Sequence, residues 1–287
     1  MSSKKKTFKV SLMGGCGNQL FQLFSGIYFA ALKDSQLEVS LDRVLNNRHQ
    51  GFCINKSSYL SNLSCLHFVS HENSYLAKAR LSIWNRNHFR ARGFGYPTNE
   101  INLPKVNSIE GYFQTFFYFD KLIRMGILKL DLLYDDFYKI FKESNKHITD
   151  VENALVIHMR MGDYYGQKDS LGVLSTRYFS EVLNSSHNEG QRIYVISDEP
   201  LEIVNNRINS LFDFEYLDTS ELHPLGIISL ISQFKAILLS NSSLSWWGGK
   251  LQKSGRVYAP EPWFRGLESP ELFLPHEWLR YESKWEE

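Results

Sequence analysis

The stretch Lys9-Val10-Ser11-Leu12-Met13-Gly14-Gly15-Cys16-Gly17-Asn18-Gln19-Leu20 decides the fold. Residues 9–13 read as a strand, 14–17 as a tight loop and 18–33 as a helix, which together open a β–α unit. Glycines let backbone approach closely, and a helix N-terminus favours negative charge. The spacing is not the dinucleotide fingerprint: Leu20 stands where G-x-G-x-x-G has its last glycine, and no G-K-[ST] follows. A tight turn alone explains the glycines. Gly15, Gly17, Asn18 and Gln19 are the residues of this turn that could meet a hydroxylated ligand.

Outward from that unit, residues 37–41 read as the next strand, whereas 51–107 are irregular and carry a basic run through Arg80, Arg86, Arg90 and Arg92. Helices are expected over 116–125 and 131–143, and the polar stretch 143–150 reads as a linker. The β–α rhythm then returns, with strands at 154–158, 192–197 and 214–216 and helices at 176–183, 202–209 and 225–238. The expected architecture is α/β, with two Rossmann-like lobes, residues 1–147 and 148–287, and a ligand cleft between them. The C-terminal segment is free to pack back on the first lobe.

Composition narrows the function. Among 287 residues, 32 Lys and Arg nearly balance 31 Asp and Glu, so no strong field draws nucleic acid or an anionic bilayer, and phosphate must be met locally. The Arg80 to Arg92 run reads as a solvated face or as a rim for phospholipid-linked substrates. Cys16, Cys53 and Cys65 lack C-x-x-C spacing and His partners, which suits reduced thiols. The apolar stretches 20–32 and 227–239 are interrupted by polar residues and fall short of the roughly 20 needed to cross a bilayer. No signal peptide is read at the N-terminus. A soluble, cytoplasmic protein is expected, with peripheral contact at the inner face of the plasma membrane left open.

Three further segments carry chemistry. Val156-Ile157-His158-Met159-Arg160-Met161-Gly162-Asp163-Tyr164 begins in a buried strand and brings polar residues to its C-terminal end, where open α/β sheets bind ligands. The guanidinium fork of Arg160 suits two phosphate oxygens, and His158 points to the same side. A buried histidine and a structural Arg–Asp pair explain the same residues. Ser240-Asn241-Ser242-Ser243-Leu244-Ser245-Trp246-Trp247-Gly248-Gly249 leads into a helix; its hydroxyls and amides can cradle phosphate, or Ser242 can simply cap the helix with tryptophans as core filler. Ser197-Asp198 ends a strand before Pro200, and Asp198 either caps a helix or faces a base or ribose.

Together, Gly14-Gly15-x-Gly17-Asn18-Gln19, His158-x-Arg160-x-Gly162-Asp163-Tyr164, Ser197-Asp198-Glu199 and the Ser240 to Gly249 segment resemble the bacterial α-1,2-fucosyltransferases of glycosyltransferase family 11. The resemblance implies a GT-B fold with no cofactor or metal, GDP-β-L-fucose as donor, and inverting transfer to the 2-hydroxyl of a terminal galactose-type residue. The missing Asp-x-Asp motif agrees with a metal-free site. Under it, donor contacts fall to His158, Arg160, Ser197, Asp198, Asn241, Ser242, Ser243 and Ser245, and acceptor or sugar contacts to Gly15, Gly17, Asn18 and Gln19. Asp163 leads as proton acceptor, with His158 and an unidentified N-terminal acid as alternatives. The family's usual second arginine is here Met161, and Leu244 stands where an aromatic residue is common. Competing readings are a GT-B transferase for another nucleotide sugar and a non-catalytic glycan-binding relative; nucleic-acid binding is disfavoured by the charge balance.

Overall fold

The computed structural model describes residues 6–45, 51–70, 87–96, 104–144, 148, 150–186, 190–208 and 210–287. The chain divides into two compact units, Met1–Asp136 with Pro270–Phe273, and Phe137–Ser269 with Leu274–Glu287. The division falls inside the helix Leu130–Lys142, ahead of the polar stretch read as a linker.

In the first unit, β1 (Thr7–Ser11) pairs in parallel with β2 (Gln36–Ser40), and β2 with β3 (Leu66–Val69). On its other side β1 pairs with β5 (Ser108–Glu110), which pairs with β4 (His88–Arg90). The order β3-β2-β1-β5-β4 reverses direction between β1 and β5. Phe8 and Val10 of β1 are buried, and the helix Cys16–Leu32 packs Leu20, Leu23, Phe24 and Ile27 into the same core. Gly26 allows that approach, because a Cβ there would lie 2.9 Å from Val10 Cγ1. The helix Phe116–Arg124 is capped by Thr115 Oγ1, which accepts from Phe117 N at 3.2 Å. The Thr115 hydroxyl and Phe116 N both donate to Leu272 O, at 2.8 and 3.1 Å, which ties the tetrapeptide Pro270–Phe273 to this unit.

In the second unit, six parallel strands lie in the order β11-β10-β9-β6-β7-β8. They are β6 (Leu155–Met159), β7 (Ile193–Ser197), β8 (Glu215–Tyr216), β9 (Ala236–Leu238), β10 (Arg256–Glu261) and β11 (Leu279–Glu282). This is the doubly wound Rossmann order, with its switch point between β6 and β9. All five positions of β6 and of β7 are buried, as expected for strands covered on both faces. Helix Pro224–Ser232 packs against helix Ser243–Leu251 at Gly248, whose Cβ would meet Ile231 Cγ2 at 2.5 Å. Trp246 and Trp247, in edge contact at 4.9 Å between ring centroids, fill the core beneath that second helix. Truncating either would cost about 3–5 kcal/mol.

One expected helix is corrected. The apolar run 225–238 is not continuous helix: helix ends at Ser232, and Ala236–Leu238 is β9, paired to β6. A fully buried run has no amphipathic period to mark where helix stops. Within the stretch read as irregular lie β3 and β4, and β5 follows directly after it. Among the described residues no helix is long and apolar enough to cross a membrane.

Candidate functional site

The C-terminal ends of β6, β7 and β8 surround a cavity of about 710 Å³ within the second unit. His158 lies on β6 and Arg160 is the first residue beyond it; Ser197 ends β7 and Asp198 follows. All four line the cavity, as does Leu244 from the first turn of the helix after β9. The register Ile157↔Leu238 explains the meeting: residues just past β6 and β9 emerge side by side at the switch point.

Arg160 stands between two carboxylates. Its Nη2 is 2.6 Å from Asp163 Oδ1 and its Nη1 is 3.3 Å from Asp198 Oδ2. Asp198 Oδ1 accepts from Met161 N at 2.9 Å, stitching the exit of β6 to that of β7. Gly162 makes room for this clamp, since a Cβ there would sit 2.5 Å from Asp198 Oδ2. The guanidinium also lies over the Tyr164 ring, 5.4 Å from its centroid, while Tyr164 OH donates to Asn241 O at 3.1 Å. Arginine, serine turn and carboxylates therefore occupy one corner of the sheet.

His158 is buried, with Nδ1 3.0 Å from Ser240 Oγ. Burial, reinforced by the charge on Arg160, pushes its imidazole down to about 3. The ring is neutral at working pH and too weakly basic to serve well as a proton acceptor. Its position suits a hydrogen bond into the cavity.

The serine turn divides into builders and presenters. Asn241 is fully buried and donates from Nδ2 to Leu171 O and Gly172 O at 2.9 and 3.1 Å. The Ser245 hydroxyl is turned inward on Ser242 O and Ser240 O, and Ser242 Oγ caps Leu244 N at 3.3 Å. Ser243 is half-buried, and the amides of Ser243 and Ser245 precede the first i−4 helical bond, Trp246 N to Ser242 O. Those N–H groups and the Ser243 hydroxyl are what this turn can offer an anion.

The glycine turn of the first unit is equally built. Gln19 is fully buried; its Nε2 donates to Gly14 O and Gly51 O, and its Oε1 accepts from Cys53 N. Gln22 clamps Met13 through both N and O. Gly17 is buried in the first helical turn and Gly15 is the N-cap, with open space where a Cβ would be. Asn18 Oδ1 accepts from Gln114 Nε2 at 2.8 Å. Gln114 escaped the sequence reading, as did the cavity wall after β8, formed by Tyr216, Asp218, Thr219, Ser220 and Leu222. The polar run Asp218-Thr219-Ser220 ahead of Pro224 was the available signal.

No known protein-family profile matches the chain. It is similar to an α-1,2-colitosyltransferase of Escherichia coli, 26% identical with 95% of this chain and 98% of that protein covered. It is also similar to the O-antigen biosynthesis glycosyltransferase WbnK of Escherichia coli, 23% identical over 92% and 97%. Among solved structures, fucosyltransferase NodZ from Bradyrhizobium superposes with a TM-score of 0.51 at 9% identity, over 89% of this chain and 96% of that one. The ADP-heptose heptosyltransferase II of E. coli superposes with 0.52 at 13%, over 96% and 90%. The fold class is GT-B, and the chain is a glycosyltransferase.

Proposed function

We propose that the chain transfers L-fucose from GDP-β-L-fucose to the 2-hydroxyl of a terminal galactose-type residue of an oligosaccharide or lipid-linked glycan, with inversion and without a metal. The observation that carries this reading is Arg160, clamped at the exit of β6 in a cavity that Leu244, from the first turn of helix Ser243–Leu251, also lines. Cleavage of the sugar–phosphate bond builds negative charge on the diphosphate, and a preorganised cation with helix-start N–H groups meets that charge. Each well-placed donor is worth about 3–4 kcal/mol in the transition state. A diphosphate leaves without protonation, so no general acid is needed.

Asp163 is the leading proton acceptor from the sequence, and its contact with Arg160 gives it a second role as holder of the guanidinium. The carboxylates at Asp198, Glu199 and Asp218 suit the N–H groups of a guanine base or ribose hydroxyls. The relative named a colitosyltransferase favours one alternative donor, GDP-colitose, whose sugar is fucose without its 3-hydroxyl. The two are separated by initial rates with GDP-fucose and GDP-colitose on a panel of galactosides, with product linkage determined. GDP release from neither donor sinks the proposal.

A further inference from the structure

Arg90 and Glu110 end β4 and β5 and are register partners at the C-terminal edge of the first sheet. The Glu110 carboxylate receives Arg43 Nη2 at 3.0 Å, Arg90 Nε at 3.2 Å and His88 Nε2 at 3.8 Å. Arg43 comes from beyond β2 and also reaches Met13 Sδ at 3.6 Å, so the cluster crosses the switch point between β1 and β5. The carboxylate lies low, with Glu110 8% exposed, while the Arg90 side chain is 72% exposed. Arg90 therefore turns its remaining guanidinium donors outward.

The chain leaves β5 through a turn that few residues tolerate. Gly111 has φ 151° and a Cβ on it would lie 2.7 Å from Ala91 Cβ; Phe113, fully buried, has φ 51°. A side chain in that left-handed region is strained, and such strain concentrates where a site must be shaped. The turn delivers Gln114. Its Nε2 is bound to Asn18 Oδ1, but its Oε1 has no partner among the described residues although Gln114 is only 4% exposed. Leaving such an oxygen unpaired is costly, and a ligand hydroxyl would offset that cost.

The chemistry of this set is mixed on purpose of recognition: a carboxylate and an amide oxygen that accept, and two guanidiniums that donate. Each hydroxyl of a sugar ring both donates and accepts, so one ring can meet the guanidiniums and the acceptor oxygens together. We propose that Arg43, Arg90, Glu110, Asn18 and Gln114 form the subsite for the terminal monosaccharide of the acceptor glycan. The proposal rests on the transferase reading above and assigns its acceptor to this sheet edge.

Saturation transfer from the full chain to lactose, measured without donor, tests the subsite alone; GDP binding and GDP-fucose turnover test the transferase reading separately. Lactose should show transfer with the unmodified protein. Arg90→Ala and Glu110→Gln should weaken lactose binding and raise its KM by about tenfold or more, with the Kd for GDP unchanged. Arg90→Ala guards against misfolding, because that side chain is mostly in solvent, and melting temperature is read for both variants. No lactose signal in the unmodified protein, an unchanged signal in both variants at unaltered melting temperature, or competition of lactose by inorganic phosphate would overturn it.

Discussion

Beyond β6 one guanidinium, Arg160, stands between two carboxylates, Asp163 and Asp198; at the end of β5 one carboxylate, Glu110, stands between two guanidiniums, Arg43 and Arg90. The first cluster joins the exits of β6 and β7 and the second gathers residues from the exit of β2 and the ends of β4 and β5, so both lie at the C-terminal edge of a parallel sheet and differ in sign. Sheet topology says where a ligand goes, and the charge order says what kind. On the proposed function, Asp163 and Asp198 would compete with the donor diphosphate for Arg160, tempering ground-state affinity and leaving the cation available as charge grows. Around Glu110 guanidinium donors and a carboxylate acceptor stand together, which suits hydroxyls that both accept and donate.

That contrast can be broken most forcefully at Arg160. Arg160→Ala should lower kcat/KM by about 10²–10³ with the melting temperature unchanged, and Arg160→Lys should recover only part, because lysine lacks the fork. A near-normal rate in the alanine variant would reduce the two clusters to structural ion pairs.

Next in size is acid stability, because the second unit carries a deeply depressed histidine. His158 falls from 6.5 unfolded to about 3 folded, so the unfolded chain binds a proton that the folded chain refuses. Its stabilising contribution is complete above pH 6.5 and declines as pH falls toward 3, by about 1.4 kcal/mol per pH unit. Urea unfolding between pH 6.5 and 4.5 should show that slope, flattened in His158→Asn.

Smaller still is the clamp itself. Gly162→Ala drives a methyl group into Asp198 and should cost about tenfold in turnover through misplacement of Arg160. Asp163→Asn removes a competitor for the guanidinium and should tighten GDP about threefold by calorimetry while slowing transfer. If the acidic limb of the pH–rate profile also disappears, Asp163 is the proton acceptor; if only affinity moves, it is a holder. The smallest expected effect is none: excess EDTA should leave initial rates unchanged, and restoration by Mg²⁺ or Mn²⁺ would contradict a charge balance supplied by Arg160.

Long, fully buried strands were legible in the sequence, because 155–159 and 193–197 are continuous apolar runs bounded by turn residues. The three-residue β4 and β5 were not, since so short a strand exists only through the neighbour it pairs with. The strand-end polar residues Arg160, His158, Ser197 and Asp198 were found for the same reason β6 and β7 were. Gln19, Asn241 and Ser245 show the limit. In sequence, a polar side chain that ties down backbone looks the same as one that meets a ligand. The Glu110 cluster was beyond reach, because β2's exit, β4 and β5 contribute to it from distant parts of the chain.

The tetrapeptide Pro270–Phe273 has a practical consequence for engineering. A fragment ending at Asp136 would lose the carbonyl of Leu272, and with it the partner of Thr115 and Phe116 at the start of helix Phe116–Arg124. Chimeras that exchange N-terminal halves between related transferases should graft this short return segment along with the half it completes.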